Sequence, residues 1–157
     1  MYRPAIAAFI LLITAIAPAL AATAGQIKRM EGDVRIVRGN QTLIGKTGLE
    51  ILAKDRVVTG ANGAVGFSTP DRAMFSLGPN SQMVIDEYAF NKGTQDGNIA
   101  VRFLKGTFSV ISGLIGKSSP ERAKYVTPTA TIGVRGTEFT VSVDTPSEPD
   151  KPSLPAR

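Results

Sequence analysis

The chain contains no cysteine and no histidine. Without thiols it has no disulfide, no zinc–thiolate centre, no cysteine nucleophile and no attachment point for a lipoprotein's lipid. Without imidazole it has no Ser-His-Asp arrangement and lacks the usual ligand of zinc and haem sites. Tryptophan is absent and aromatic residues are only 6% of the chain. Basic stretches interleaved with aromatics, the mark of many nucleic-acid binders, are missing as well. The rest is ordinary for a globular protein. The chain has 157 residues, 43% hydrophobic and 20% charged, which suits one domain rather than a disordered segment.

The one long apolar run is at the start. Met1-Tyr2-Arg3 is followed by Ala5 to Ala17, apolar except for Thr14, then Pro18 and an Ala19-Leu20-Ala21 site. A positive start, a short apolar stretch and small residues two apart form the three-part pattern of a signal peptide. As a helix the apolar stretch would span only ~20 Å, short of a ~30 Å hydrocarbon core. We therefore expect residues 1–21 to be a signal peptide cut after Ala21, with Ala24 as the second choice. The mature chain would have no integral membrane span and would lie in a bacterial periplasm or be secreted. A cysteine-free exported domain relies on its core, and residues 25–144 are enough to build one.

The formal net charge is +5, of which Arg3 leaves with the leader. Lys28, Arg29, Arg35 and Arg38 make the start of the mature chain its most basic part. That balance favours solubility first, and an anionic polymer or acidic surface second.

Alternation of apolar and polar residues dominates the mature chain, so the fold class is all-β. Strands are expected at Asp33–Arg38, Arg56–Thr59, Ala64–Ser68, Arg72–Leu77, Gln82–Tyr88, Ile99–Leu104, Thr107–Ser112, Lys124–Thr127, Thr129–Val134 and Glu138–Val143. In Gln82–Tyr88, strict alternation sets Met83, Ile85 and Glu87 against Val84, Asp86 and Tyr88. Turn residues separate the runs: Ala61-Asn62-Gly63, expected at positive φ, Gly78-Pro79-Asn80-Ser81, and the Gly93–Asn98 loop. Leu49, Ile51 and Leu52 are the nearest approach to a helical stripe. The spacing suits a sandwich, barrel or short solenoid, and no exact repeat is present. Pro146, Pro149, Pro152 and Pro155 recur every third residue, so residues 145–157 read as an extended Pro-rich, disordered tail.

Chemistry is harder to find. Asp86 and Glu87 are adjacent and face opposite sides of a strand. Asp71 could meet Asp86 only through the fold. Ser112 and Lys117 lack a dyad motif. Gly113–Ser119 contains Gly-Lys-Ser, but Ile111 stands where a phosphate loop needs its first glycine, so it reads as a loop. No residue set implies a cofactor or a metal, and the chain is not read as an enzyme. The most distinctive stretch is Tyr125–Phe139. There Arg135, beside Gly136 and Thr137, is expected to turn inward and tie turn carbonyls or a carboxylate such as Glu138 or Asp86.

At this stretch the chain resembles the FecR-domain family. Thr127-Pro128 through Arg135-Gly136-Thr137-Glu138-Phe139 is similar to that family's closing signature. In order before it, Gly32-Asp33-Val34, Asp55–Gly60, Asp71 through Gly78-Pro79-Asn80-Ser81, Ile85–Tyr88 and Leu104-Lys105-Gly106-Thr107-Phe108 are similar to its earlier blocks. One departure is Arg72, where the family commonly has glycine. The resemblance implies an all-β, solenoid-like or sandwich-like domain acting in the envelope. Its motif residues here are Asp71, Asn80, Ser81, Gly106, Pro128, Arg135, Gly136, Thr137, Glu138 and Phe139. The implied function is a non-catalytic module in envelope sensing or signalling, with an envelope protein as partner. An envelope-polysaccharide-binding protein is the alternative.

Overall fold

A computed structural model describes residues 22–134 and 138–144. Residues 1–21, expected to be a leader, residues 145–157, expected to be a Pro-rich tail, and Arg135, Gly136 and Thr137 lie outside the described residues. The described chain forms twelve strands: β1 (Thr23–Glu31), β2 (Val34–Arg38), β3 (Gln41–Ile44), β4 (Glu50–Leu52), β5 (Arg56–Thr59), β6 (Ala64–Ser68), β7 (Met74–Leu77), β8 (Gln82–Phe90), β9 (Gly97–Ile111), β10 (Ala123–Val126), β11 (Thr131–Ile132) and β12 (Glu138–Val143). They belong to one curled sheet that folds into two layers. The first layer runs β4-β1-β6-β7-β9-β12 and the second β3-β2-β5-β8-β9-β10-β11. All pairs are antiparallel except β9 with β10.

Strand β9 belongs to both layers. Its first half pairs with β8 and β10, its second half with β7 and β12. The change falls at Gly106, whose φ of +101° lies where side chains are strongly disfavoured. Ile99, Val101 and Phe103 are buried before the bend, Phe108 and Val110 after it, so the inward parity switches there. The rings of Phe103 and Phe108 then meet at 4.5 Å inside the molecule. The sequence reading splits β9 into two strands at Lys105-Gly106. The glycine bends the strand without ending it.

The core lies between the layers. Phe67 and Phe75 stack across β6 and β7 at 4.9 Å. Tyr125 of the second layer sits 6.4 Å from Phe75 of the first and 6.1 Å from Phe103. Each such ring contributes about 1.5–3 kcal/mol by burial.

Four more expectations change. Between Ile85 and Glu87 the β8–β9 register shifts, leaving Asp86 as an extra residue. The bulge reverses the alternation, so Tyr88 is buried with Met83 and Ile85. Strands β1, β3 and β4 were not expected, and Leu49–Leu52 enters β4 rather than a helical turn. Gly113–Ser119 is not a loop but contains a short helix α1 (Leu114–Ser118). Asn62 and Gly63 have negative φ; the positive values fall instead on Gly32, Gly39, Gly48, Lys54, Arg72, Asn80 and Gln95, besides Gly106.

Candidate functional site

The motif residues fall into three groups, two of them internal. Asp71 is 1% exposed and anchors the first. Its Oδ1 accepts hydrogen bonds from the Thr69 hydroxyl and, at 3.0 Å, from the Tyr88 hydroxyl. Its Oδ2 accepts from the Ile115 amide at 3.3 Å, and its carbonyl accepts from the Leu114 amide at 2.8 Å. The Asp71 amide in turn donates to the Tyr88 oxygen at 3.0 Å. These bonds explain α1: five residues are too few for a helix to stand alone, and Asp71 satisfies its first amides. Gly113 leaves the room, because a Cβ there would lie 2.3 Å from Asp71 Oδ2. Burial and the neighbouring Asp71 charge push the Tyr88 phenol well above its ordinary range, and burial pushes Tyr125 up to about 12.

Arg72, the residue that departs from the family pattern, has φ +68°. The turn that a glycine would enter freely is therefore retained with an arginine strained into it, at ~1–2 kcal/mol.

The second group closes the bend of β9. Ser81 is fully buried; its hydroxyl donates to Pro79 O at 3.1 Å and accepts from the Thr107 amide at 3.1 Å. Its amide donates to Thr59 Oγ1 at 2.9 Å, and Thr59 Oγ1 donates to Gly78 O at 2.7 Å. Asn80, at φ +51°, donates its amide to Gly60 O at 3.0 Å. A Cβ on Gly106 would lie 2.1 Å from the Ser81 hydroxyl, so this glycine is required by contact as well as by φ.

The third group lies where the two layers open. Pro128 is exposed in the β10–β11 turn, which Thr127 closes on Ala130. Phe139 meets Tyr125 edge-on at 5.0 Å and ties β12 to the second layer. Strand β12 pairs with β9 from Glu138↔Ile111 to Val143↔Gly106. Among the described residues its other edge has no strand partner. Phe139, Val141 and Val143 point inward but are only half-buried, while Glu138, Thr140 and Ser142 are exposed. The arrangement is a six-residue edge with apolar side chains still reachable from its open side.

Other candidates are kept apart. Asp86 is held by Arg102 in a two-point ion pair at 2.6 and 2.7 Å on the outside of the second layer, so it shares no partner with Asp71. Ser112 Oγ is buried with no hydrogen-bond partner among the described residues, so no Ser112–Lys117 dyad forms. Sequence reasoning misses Arg38. Its guanidinium binds the buried Asp55 carboxylate at 2.7 and 2.9 Å and donates to Glu50 O at 2.9 Å. Arg38 thus ties a carboxylate and a carbonyl at once, the kind of arrangement expected of Arg135, which lies outside the described residues. The hydrogen bond to Asp55 raises Arg38 above its usual range. Arg35 is likewise claimed by Asp33, which it holds below the ordinary carboxylate range. Of Lys28, Arg29, Arg35 and Arg38, two, Arg35 and Arg38, are thus neutralised by pairing.

Among the described residues, no group of three or more acidic side chains is placed to hold a metal ion, and no helix is long and apolar enough to cross a membrane. The family model described as FecR protein matches residues 55–150. No curated protein and no solved structure matches the chain.

Proposed function

Because the chain belongs to the FecR family, whose members sense and signal in the bacterial envelope, we propose that it is a non-catalytic, exported protein-binding module of envelope sensing or signalling. The observation that carries the reading is the open edge of β12. A partner segment can add a strand there, gaining backbone hydrogen bonds along Glu138–Val143 and covering the half-buried Phe139, Val141 and Val143. The internal motif residues support it from behind. Asp71 and Ser81 are occupied in fixing α1 and the β9 bend, so they shape the domain and leave recognition to its surface.

A periplasmic or secreted location fits the leader. Export would leave Ala22 as the first residue, and the start of β1 supports that boundary. Ala22 O accepts from the Ala53 amide at 3.1 Å and Ala24 is fully buried, so a cut after Ala24 would remove both contacts.

The test places a photo-crosslinking residue at Thr140 or Ser142 on the edge strand, and at Arg29 and Thr42 as controls, in the exported protein. One defined envelope protein captured from the two edge positions alone supports the reading. Equal capture from all four positions, or none from the edge, overturns it. A product of twice the chain's mass from the edge positions shows self-pairing instead.

A further inference from the structure

The outer face of the second layer carries a basic furrow that the linear sequence hides. Five neighbouring strands contribute one residue each to a single row: Val37 of β2, Arg56 of β5, Val84 of β8, Arg102 of β9 and Val126 of β10. Neighbouring strands lie ~4.8 Å apart, so the two arginines repeat at about 10 Å with a valine on each side of each. Lys54, Arg56, Arg102 and Asp86 wall a depression of about 390 Å³ floored by Val37, Gly39 and Val84. Val84 is only 7% exposed yet stands outside the interior cluster formed by Met83 and Ile85.

Charge in the furrow is unbalanced. Among the described residues, Lys54 and Arg56 make no ion pair. Arg102 meets Asp86 through Nε and Nη2, and its Nη1 group has no protein acceptor among the described residues. Register adds Lys105 opposite Gln82 on the same face, while Lys124, opposite Ala100, is offset by Glu87 on Ala100's other side and by Glu121, so the positive excess stays with Lys54, Arg56, Arg102 and Lys105. The row crosses strands that are hydrogen-bonded on both sides, so a peptide cannot add a strand here. No aromatic side chain lines it for stacking a base. A stiff polyuronate whose alternate carboxylates point to the same side meets the repeat, and the valines between suit the C–H faces of sugar rings.

We propose that this furrow binds an acidic polysaccharide lying across the strands, its carboxylates on Arg56 and Arg102. The proposal is independent of the β12 edge, which belongs to the other layer, so either can fail alone. The probe is polygalacturonate, titrated against the full exported chain at low and at physiological salt, with polyglutamate and duplex DNA as comparison polyanions. The expected result is saturable binding to polygalacturonate that weakens with salt and exceeds binding to the other two. The double substitution Lys54→Gln with Arg56→Gln should weaken it about tenfold, whereas Arg29→Gln on the first layer should not change it. Asp86→Asn removes a repelling charge and should tighten binding about threefold, a gain that a folding defect does not produce. Absence of saturable binding, equal binding of polyglutamate or DNA, or an unchanged affinity in the double variant together with no gain in Asp86→Asn overturns the assignment.

Discussion

Tyr88→Phe deletes a single oxygen that serves Asp71 twice. The hydroxyl accepts from the Asp71 amide and donates to its carboxylate, each at 3.0 Å, with both residues buried. Loss of the acceptor leaves a buried amide unpaired, at about 1–3 kcal/mol, and loss of the donor removes a bond to a charged group worth about 1.5–3 kcal/mol. The Thr69 hydroxyl and the Ile115 amide still hold the carboxylate. A net loss near ~3 kcal/mol is therefore expected, well above the ~1 kcal/mol of an average substitution. Urea unfolding measures it as a lower midpoint with an unchanged slope. The alkaline limb supplies a second readout. Burial raises the folded Tyr88 phenol above its unfolded value near ~10, so its contribution is fully present below that pH and lost as pH rises through the folded value. Tyr125, pushed up to about 12, behaves the same way. Each phenol steepens the loss of stability above pH ~10 by up to about 1.4 kcal/mol per pH unit. The Phe variant should lose one of these two contributions and show a shallower limb. A stability loss under ~1 kcal/mol, or a limb as steep as wild type, would refute the account of the Asp71 network.

Gly106→Ala should destabilise by more than ~3 kcal/mol, because a left-handed backbone and a displaced Ser81 add. Ser81→Ala should not rescue it, since the added Cβ also lies 2.5 Å from Ser81 Cα; recovery in the double variant would reduce the problem to the hydroxyl alone. Arg72→Gly should stabilise by about 0.5–1 kcal/mol, the released left-handed strain less the entropy of glycine, and a lower melting temperature would show that the Arg72 side chain matters. Protein recovered from a periplasmic fraction should have an intact mass beginning at Ala22; a mass beginning at Gly25 would contradict the buried Ala24.

Much of the fold is legible in the sequence where alternation is undisturbed. Arg56–Thr59, Ala64–Ser68 and Glu138–Val143 are strands with the expected ends. Failures come where backbone geometry overrides the two-residue period. The bulge at Asp86 hides the burial of Tyr88, and so the partner of Asp71. Gly106 hides the continuity of β9. Strand β1 reads poorly because two register shifts break its alternation, and β3 because its exposed edge position demands no apolar face. Helix α1 has no periodic stripe because Asp71, more than forty residues earlier, supplies its start. Of the sites, Gly106 and Ser81 are legible as residues but not as a contacting pair. The basic furrow is invisible, since Lys54, Arg56 and Arg102 meet only through strand order.

The bend in β9 also bears on how the molecule comes apart. A sandwich built from two separate sheets can in principle melt one sheet at a time. Here a single strand supplies the hydrogen-bonded neighbours of β8 and β10 on one side of Gly106 and of β7 and β12 on the other. Freeing β9 from either layer pulls Phe103 or Phe108 out of their shared contact and opens the other layer to water. Covalent continuity through Gly106 thus couples the two layers, and a single cooperative transition is the expected outcome. The same continuity delays assembly: neither layer can close until residues 97–111 are available, so the chain ahead of them has no complete core to collapse onto.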